Sequence, residues 1–155
     1  MTHFLSLNRR NFLQASAAGL AASAMPGFMT SSALAQSELT VGVIYVGPKD
    51  DYGYNQAHAE GAAVVKAMSG VTVVEEENVA ETVDVQKSME SMINLDGAAL
   101  LFPTSFGYFD PHVLATAANY PDTLFRHCGG LWQEGKHPAN TGSYFGYIHQ
   151  GQFLN

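Results

Sequence analysis

Two short stretches hold most of the side chains that could recognise a small molecule. They are Gly47-Pro-Lys-Asp-Asp-Tyr-Gly-Tyr-Asn-Gln-Ala-His58 and Pro103-Thr-Ser-Phe-Gly-Tyr-Phe-Asp-Pro111. Between them they carry aromatic rings (Tyr52, Tyr54, Phe106, Tyr108, Phe109), carboxylates (Asp50, Asp51, Asp110), and amides or hydroxyls (Asn55, Gln56, Thr104, Ser105). That mixture suits a flat, polar, heteroaromatic ligand. Stacking of a ring on a base contributes about 1–3 kcal/mol, and carboxylates and amides can then read the donor and acceptor edge. Turn formation and helix capping draw on some of the same residue types. From its own position Asp110 before Pro111 reads as an N-cap ahead of a ligand contact, and Asn55 carries the same ambiguity at the start of its helix. Five large rings in two loops exceed what turns require, because loop tips usually expose few of them.

Catalytic alternatives are thinner. Ser105, His127 and Asp110 could be drawn as a triad, yet Ser105 lacks the Gly-x-Ser-x-Gly context that exposes a nucleophile on a sharp turn. His127 closes an apolar strand and reads as structural. His58, His112, His127, His137, His149 and Cys128 show no metal-ligand spacing such as His-x-x-x-His or Cys-x-x-Cys. Cys128 reads as a buried, inert thiol. The chain is read as a non-enzyme without a cofactor or metal; an exported hydrolase acting on nucleosides is the less favoured alternative.

The elements that must position these loops follow from the apolar pattern. Leu39 to Val46 is β-branched and nearly all apolar, the signature of a central parallel strand buried on both faces. A helix is expected over Asn55 to Met68, a strand over Val71 to Glu75, and a helix over Val83 to Asn94, where Val85, Met89, Met92 and Ile93 share a face. Ala98 to Phe102 is a third strand. Asp110-Pro111 opens a third helix that ends near Tyr120-Pro121. Thr123 to His127 is a fourth strand, and Ser143 to Phe145 is a short fifth one. Glu75, Glu76 and Glu77 read as a solvated strand end. The alternation predicts a doubly wound α/β sheet in the common 2-1-3-4-5 order. Ligands in such sheets bind beyond the carboxyl ends of the strands, and strands one and three are neighbours at the switch point, so the two polar loops should face each other.

Ahead of the fold lies a leader. Arg9 and Arg10 stand together in Asn8-Arg9-Arg10-Asn11-Phe12-Leu13, an Ala-rich run without acids follows, and Ala33-Leu34-Ala35 offers a small-residue cleavage site. We read residues 1–35 as a twin-arginine export signal cleaved after Ala35, and 36–155 as one domain in the periplasm. That domain keeps all 14 acidic residues, against Lys49, Lys66, Lys87, Lys136 and Arg126 as its cations. A surface so acidic repels phosphate backbones and anionic membranes, so nucleic acid is not an expected partner. The single cysteine, Cys128, allows no internal disulfide, and the residue directly after the cleavage site is Gln36, not a cysteine that could accept a lipid. The helix expected from Tyr147 would have barely begun at Asn155, which reads as a truncated chain.

Asp51-Tyr-Gly-Tyr-Asn-Gln-Ala-His-Ala-Glu-Gly61, Thr104-Ser-Phe-Gly-Tyr-Phe-Asp-Pro111 and Tyr120-Pro-Asp-Thr-Leu-Phe-Arg-His127 resemble the basic membrane protein family, solute-binding proteins of ABC importers akin to purine-nucleoside receptors. The resemblance runs from Leu39 to the end. It implies the periplasmic-binding-protein type I fold, with this chain as its first lobe and the second lobe absent, and a purine base or nucleoside as ligand. It implies an inner-membrane ABC permease as partner for a monomeric receptor. By resemblance Tyr54 stands where the family usually stacks Phe or Trp on the base. Asp51, Asn55 and Gln56 lie beside it, and Ser105, Phe106 and Asp110 match the second loop's wall. A sensor module that presents ligand to a signalling protein is the alternative within the same class.

Overall fold

The computed structural model describes residues 38–146; the leader, its cleavage site at Ala35 and the helix expected from Tyr147 lie outside the described residues. Five strands form one sheet: β1 (Leu39–Ile44), β2 (Val71–Glu76), β3 (Leu100–Pro103), β4 (Leu124–Cys128) and β5 (Thr141–Tyr144). Three α-helices connect them: α1 (Tyr54–Lys66), α2 (Val83–Asn94) and α3 (Leu114–Asn119). The order is β2-β1-β3-β4-β5, and all four pairings are parallel. This is the doubly wound α/β sheet that the alternation predicts.

The topology decides which face each helix covers. From β1 the chain steps to one side, to β2, and then crosses back over β1 to β3 and on to β4. Right-handed crossovers therefore send α1 to one face and α2 and α3 to the other. Side chains divide accordingly, because neighbours along a strand point to opposite faces. Val41, Val43 and Tyr45 pack with Val73 and Ala62 of α1. Ile44, Leu101 and Phe125 pack with Val85, Met89 and Met92 of α2 and with Ala117 of α3. Gly42 faces this second layer where no side chain fits: a Cβ there would lie 2.3 Å from Leu101 Cδ2 and 2.7 Å from Met92 Sδ. The central strand carries a glycine so that α2 can approach its backbone.

Four local expectations are corrected. Helix α1 does not take its cap from Asn55, which is helical and buried; Asp51 supplies the acceptors instead. Asp110 caps nothing. Its carboxylate accepts no hydrogen bond from the following turn, and its extended backbone (φ −118°, ψ 121°) interrupts a wide turn over Phe109–Val113 before α3 begins. Glu75 is not merely solvated: it accepts the hydroxyl of fully buried Tyr45 at 2.9 Å and pairs with Lys49 at 3.5 Å and Lys66 at 3.8 Å. A buried phenol must find an acceptor, and the strand end provides it. Cys128 is half-buried rather than enclosed.

Candidate functional site

The two loops meet because their strands pair. Ile44 and Pro103 lie side by side at the carboxyl ends of β1 and β3. The first residue after β3, Thr104, then returns both its N–H (3.1 Å) and its hydroxyl (2.9 Å) to the Ile44 carbonyl. Tyr54, at the start of α1, donates its hydroxyl to the Thr104 carbonyl. One phenol thus bridges the loops. Its ring packs on His58 at 4.5 Å between centroids and stays about half exposed, 46%. Burial, and then the neighbouring Cys128, push the Tyr54 phenol well above its usual pKa, so it stays protonated and remains a donor.

Asp51 anchors the first loop. Its Oδ1 accepts the N–H groups of Gly53 (2.9 Å) and Gln56 (3.0 Å), and its Oδ2 accepts the N–H of Asn55 (3.0 Å) and its side-chain amide (2.9 Å). These are the otherwise orphaned donors of a helix start. The amides of Gln56 and Asn55 lower the Asp51 pKa to about 2. Its charge is therefore spent on the helix. The Gln56 amide turns to Glu60 at 3.0 Å, and Asn55 keeps a buried Oδ1 without a partner.

The second loop is held from behind by residues outside both loops. His127, fully buried in β4, contacts the Ser105 carbonyl through Nε2 at 2.6 Å; a carbonyl only accepts, so Nε2 carries the proton. Burial lowers the His127 pKa and keeps the ring neutral. The Ser105 hydroxyl goes to Glu81, which also accepts the Gly107 N–H at 2.9 Å. Ser105, His127 and Asp110 form no triad: the imidazole meets a backbone carbonyl, and the serine hydroxyl is committed elsewhere. Tyr108 and Phe109 are core residues, with the Tyr108 hydroxyl donated to the Val79 carbonyl at 2.6 Å. Of the five rings, only Tyr52, Tyr54 and Phe106 are exposed, and Tyr52 stands away in solvent at 95%.

Phe106 and Asp110 line a pocket of 380 Å³, mixed polar and apolar, which is also lined by the loop after β4, with Gly130, Leu131, Lys136 and His137. Sequence reasoning left that loop out. The Gly129-Gly130 pair directly after a strand adjoining β3 was the signal available. Glu81 offered none, since it lies in a connection remote from both loops in sequence. A larger, almost wholly apolar cavity of 450 Å³ lies between α1 and the sheet, lined by Val41, Val43, His58, Phe102 and Tyr144. It runs mostly along the strands and reaches their carboxyl ends at Thr104, and it offers little to orient a polar ligand. Burial, with Cys128 close by, raises the Tyr144 phenol to about 12. Among the described residues no group of three or more His, Cys, Asp or Glu is gathered as metal ligands are.

The fold agrees with what the chain is similar to. It is 35% identical over 131 residues to a purine-binding protein of Brucella abortus, covering 83% of this chain and 36% of that one. It is 29% identical over 111 residues to a protein of Haloferax volcanii named as a candidate ABC transporter glucose-binding protein, covering 72% and 27% of the two chains. The chain thus spans about a third of the length of these curated relatives. A crystal structure of ABC transporter solute-binding proteins from Aeropyrum pernix shares the fold at a TM-score of 0.58 and 21% identity, over 69% of this chain and 28% of that one. Residues 6–26 match the twin-arginine translocation signal. Residues 38–155 match the family of PnrA-like ABC transporter substrate-binding proteins, and the chain belongs to that family.

Proposed function

We propose that residues 36–155 form the first lobe of a receptor that delivers a purine base or nucleoside to an ABC importer in the inner membrane. The observation that carries this reading is the pair of loops at the carboxyl ends of β1 and β3, joined through Tyr54 and Thr104, with Tyr54 half exposed. The Tyr54 ring supplies a stacking face, and the pocket beside Phe106 adds a second ring and the Asp110 carboxylate. The relative named as purine-binding supports a purine; the one named for glucose makes a sugar the second reading, and a nucleoside carries both features. The twin-arginine match directs the chain to export, and we place the cleavage after Ala35 and the receptor in the periplasm as a monomer. Asp51 and Asn55 serve by shaping the first loop; Tyr54, Phe106 and Asp110 present surface to the ligand.

Amide-resolved NMR titration tests this, because it detects millimolar binding and locates it. Adenine, guanine, adenosine, guanosine and inosine should each be added to the exported chain, with glucose in parallel. Saturable shifts at Tyr54, Thr104 and Phe106 with at least one purine are expected. Shifts with glucose alone would replace the purine reading by a sugar one, and no shift with any of them would overturn it.

A further inference from the structure

Phe106 is the most exposed ring of the second loop, at 67%, and little side-chain packing holds it. Its ring rests on the bare backbone of Gly129, where a Cβ would come within 3.2 Å of Phe106 Cδ2. The backbone on either side is held, and with it the direction in which the Phe106 side chain leaves the chain. The residue before it donates its hydroxyl to Glu81, and the residue after it donates its N–H to the same carboxylate at 2.9 Å. Gly107 leaves room for this: a Cβ there would lie 2.5 Å from Glu81 Cδ and 2.7 Å from each carboxylate oxygen. The bonds are charge-assisted and stronger than neutral ones. They hold the Glu81 carboxyl below the usual carboxylate range.

The geometry points to Glu81 as a positioning residue for ligand recognition, which brackets Phe106 and sets the direction in which its ring meets the ligand. The inference rests on the reading of Phe106 as a wall of the ligand site. A ring held in its bound direction spares the ordering cost that a free loop incurs on binding. Glu81 itself touches no ligand; it acts through Phe106.

A double-mutant cycle separates this role from a general effect on the fold. Apparent Kd values for adenine and for guanosine would be measured on the full chain as wild type, Glu81→Ala, Phe106→Ala and the double variant. Glu81→Ala should weaken binding about fivefold or more in the wild-type background and less than about twofold in the Phe106→Ala background. Glu81→Gln retains an acceptor oxygen and should lose less than Glu81→Ala; it takes the place of Ala in the cycle if circular dichroism shows Ala to be unfolded. Equal losses in both backgrounds, or no loss in the first, would overturn the inference. If the wild-type chain binds none of the five purines, the purine reading fails, and the ligand-free protein decides the role of Glu81. There Gly107 amide exchange should accelerate about tenfold or more on Glu81→Ala, with the Phe106 χ1 couplings moving toward a rotamer average. Unchanged exchange and χ1 couplings would overturn it.

Discussion

Replacing Tyr54 probes the reasoning most directly, because two of its functions can be removed one at a time. Tyr54→Phe keeps the ring on His58 and deletes only the hydroxyl that binds the Thr104 carbonyl. A typical hydrogen bond contributes about 0.5–1.5 kcal/mol net, so loop coupling should weaken by that amount. Purine affinity should then fall by about two- to tenfold. Tyr54→Ala removes the ring as well. Stacking on a base contributes about 1–3 kcal/mol by alanine substitution, so the total loss should be at least about tenfold. The assay is the same NMR titration with adenosine, read as the ratio of apparent Kd values. Fold integrity is checked independently by the dispersion of core amides such as those of Leu101 and Phe125. Unchanged affinity in a folded Tyr54→Ala would remove Tyr54 from the site. Equal losses for Phe and Ala would show that the hydroxyl bridge, not stacking, carries the effect.

Three further outcomes follow from the same structure. Asp51→Asn should lower the melting temperature at pH 7, because it removes a charge that accepts three backbone N–H groups; since the folded pKa of Asp51 is depressed to about 2 from an ordinary value of 3.8, that stability is present above about pH 4 and lost toward pH 2, so the gap between variant and wild type should close on acidification. A gap that persists at pH 2 would show that the carboxylate charge is not its source. Gly42→Ala should destabilise by about 1–3 kcal/mol in urea unfolding, since its methyl would overlap Leu101 and Met92; a neutral effect would mean that α2 can retreat at no cost. Changing Arg9-Arg10 to a Lys pair should hold the chain in the cytoplasm, as read by cell fractionation, and undiminished periplasmic material would point to another export route.

Much of this protein is legible in its residues. The order of elements, the parallel sheet and the 2-1-3-4-5 arrangement follow from apolar periodicity and turn residues, because these are local properties that crossover handedness converts into topology. Helix α2 spans the predicted residues, since its apolar stripe and its Thr82 cap agree. The export signal and the two candidate loops are local patterns too. The tertiary structure decided how those loop residues are used. Asp51 and Asp110 are the same residue type in similar polar stretches, yet one is spent on a helix start and the other faces a pocket. Tyr108 and Phe106 are two residues apart, yet one is core and the other is surface. Nothing in sequence distance shows Glu81 beside Ser105 and Gly107, or the Tyr54 hydroxyl on Thr104, because those contacts arise only when the sheet brings separate connections to one edge. Residue types near the carboxyl ends of the strands name a candidate site; the partners each side chain finds there determine which of them remain free to meet a ligand.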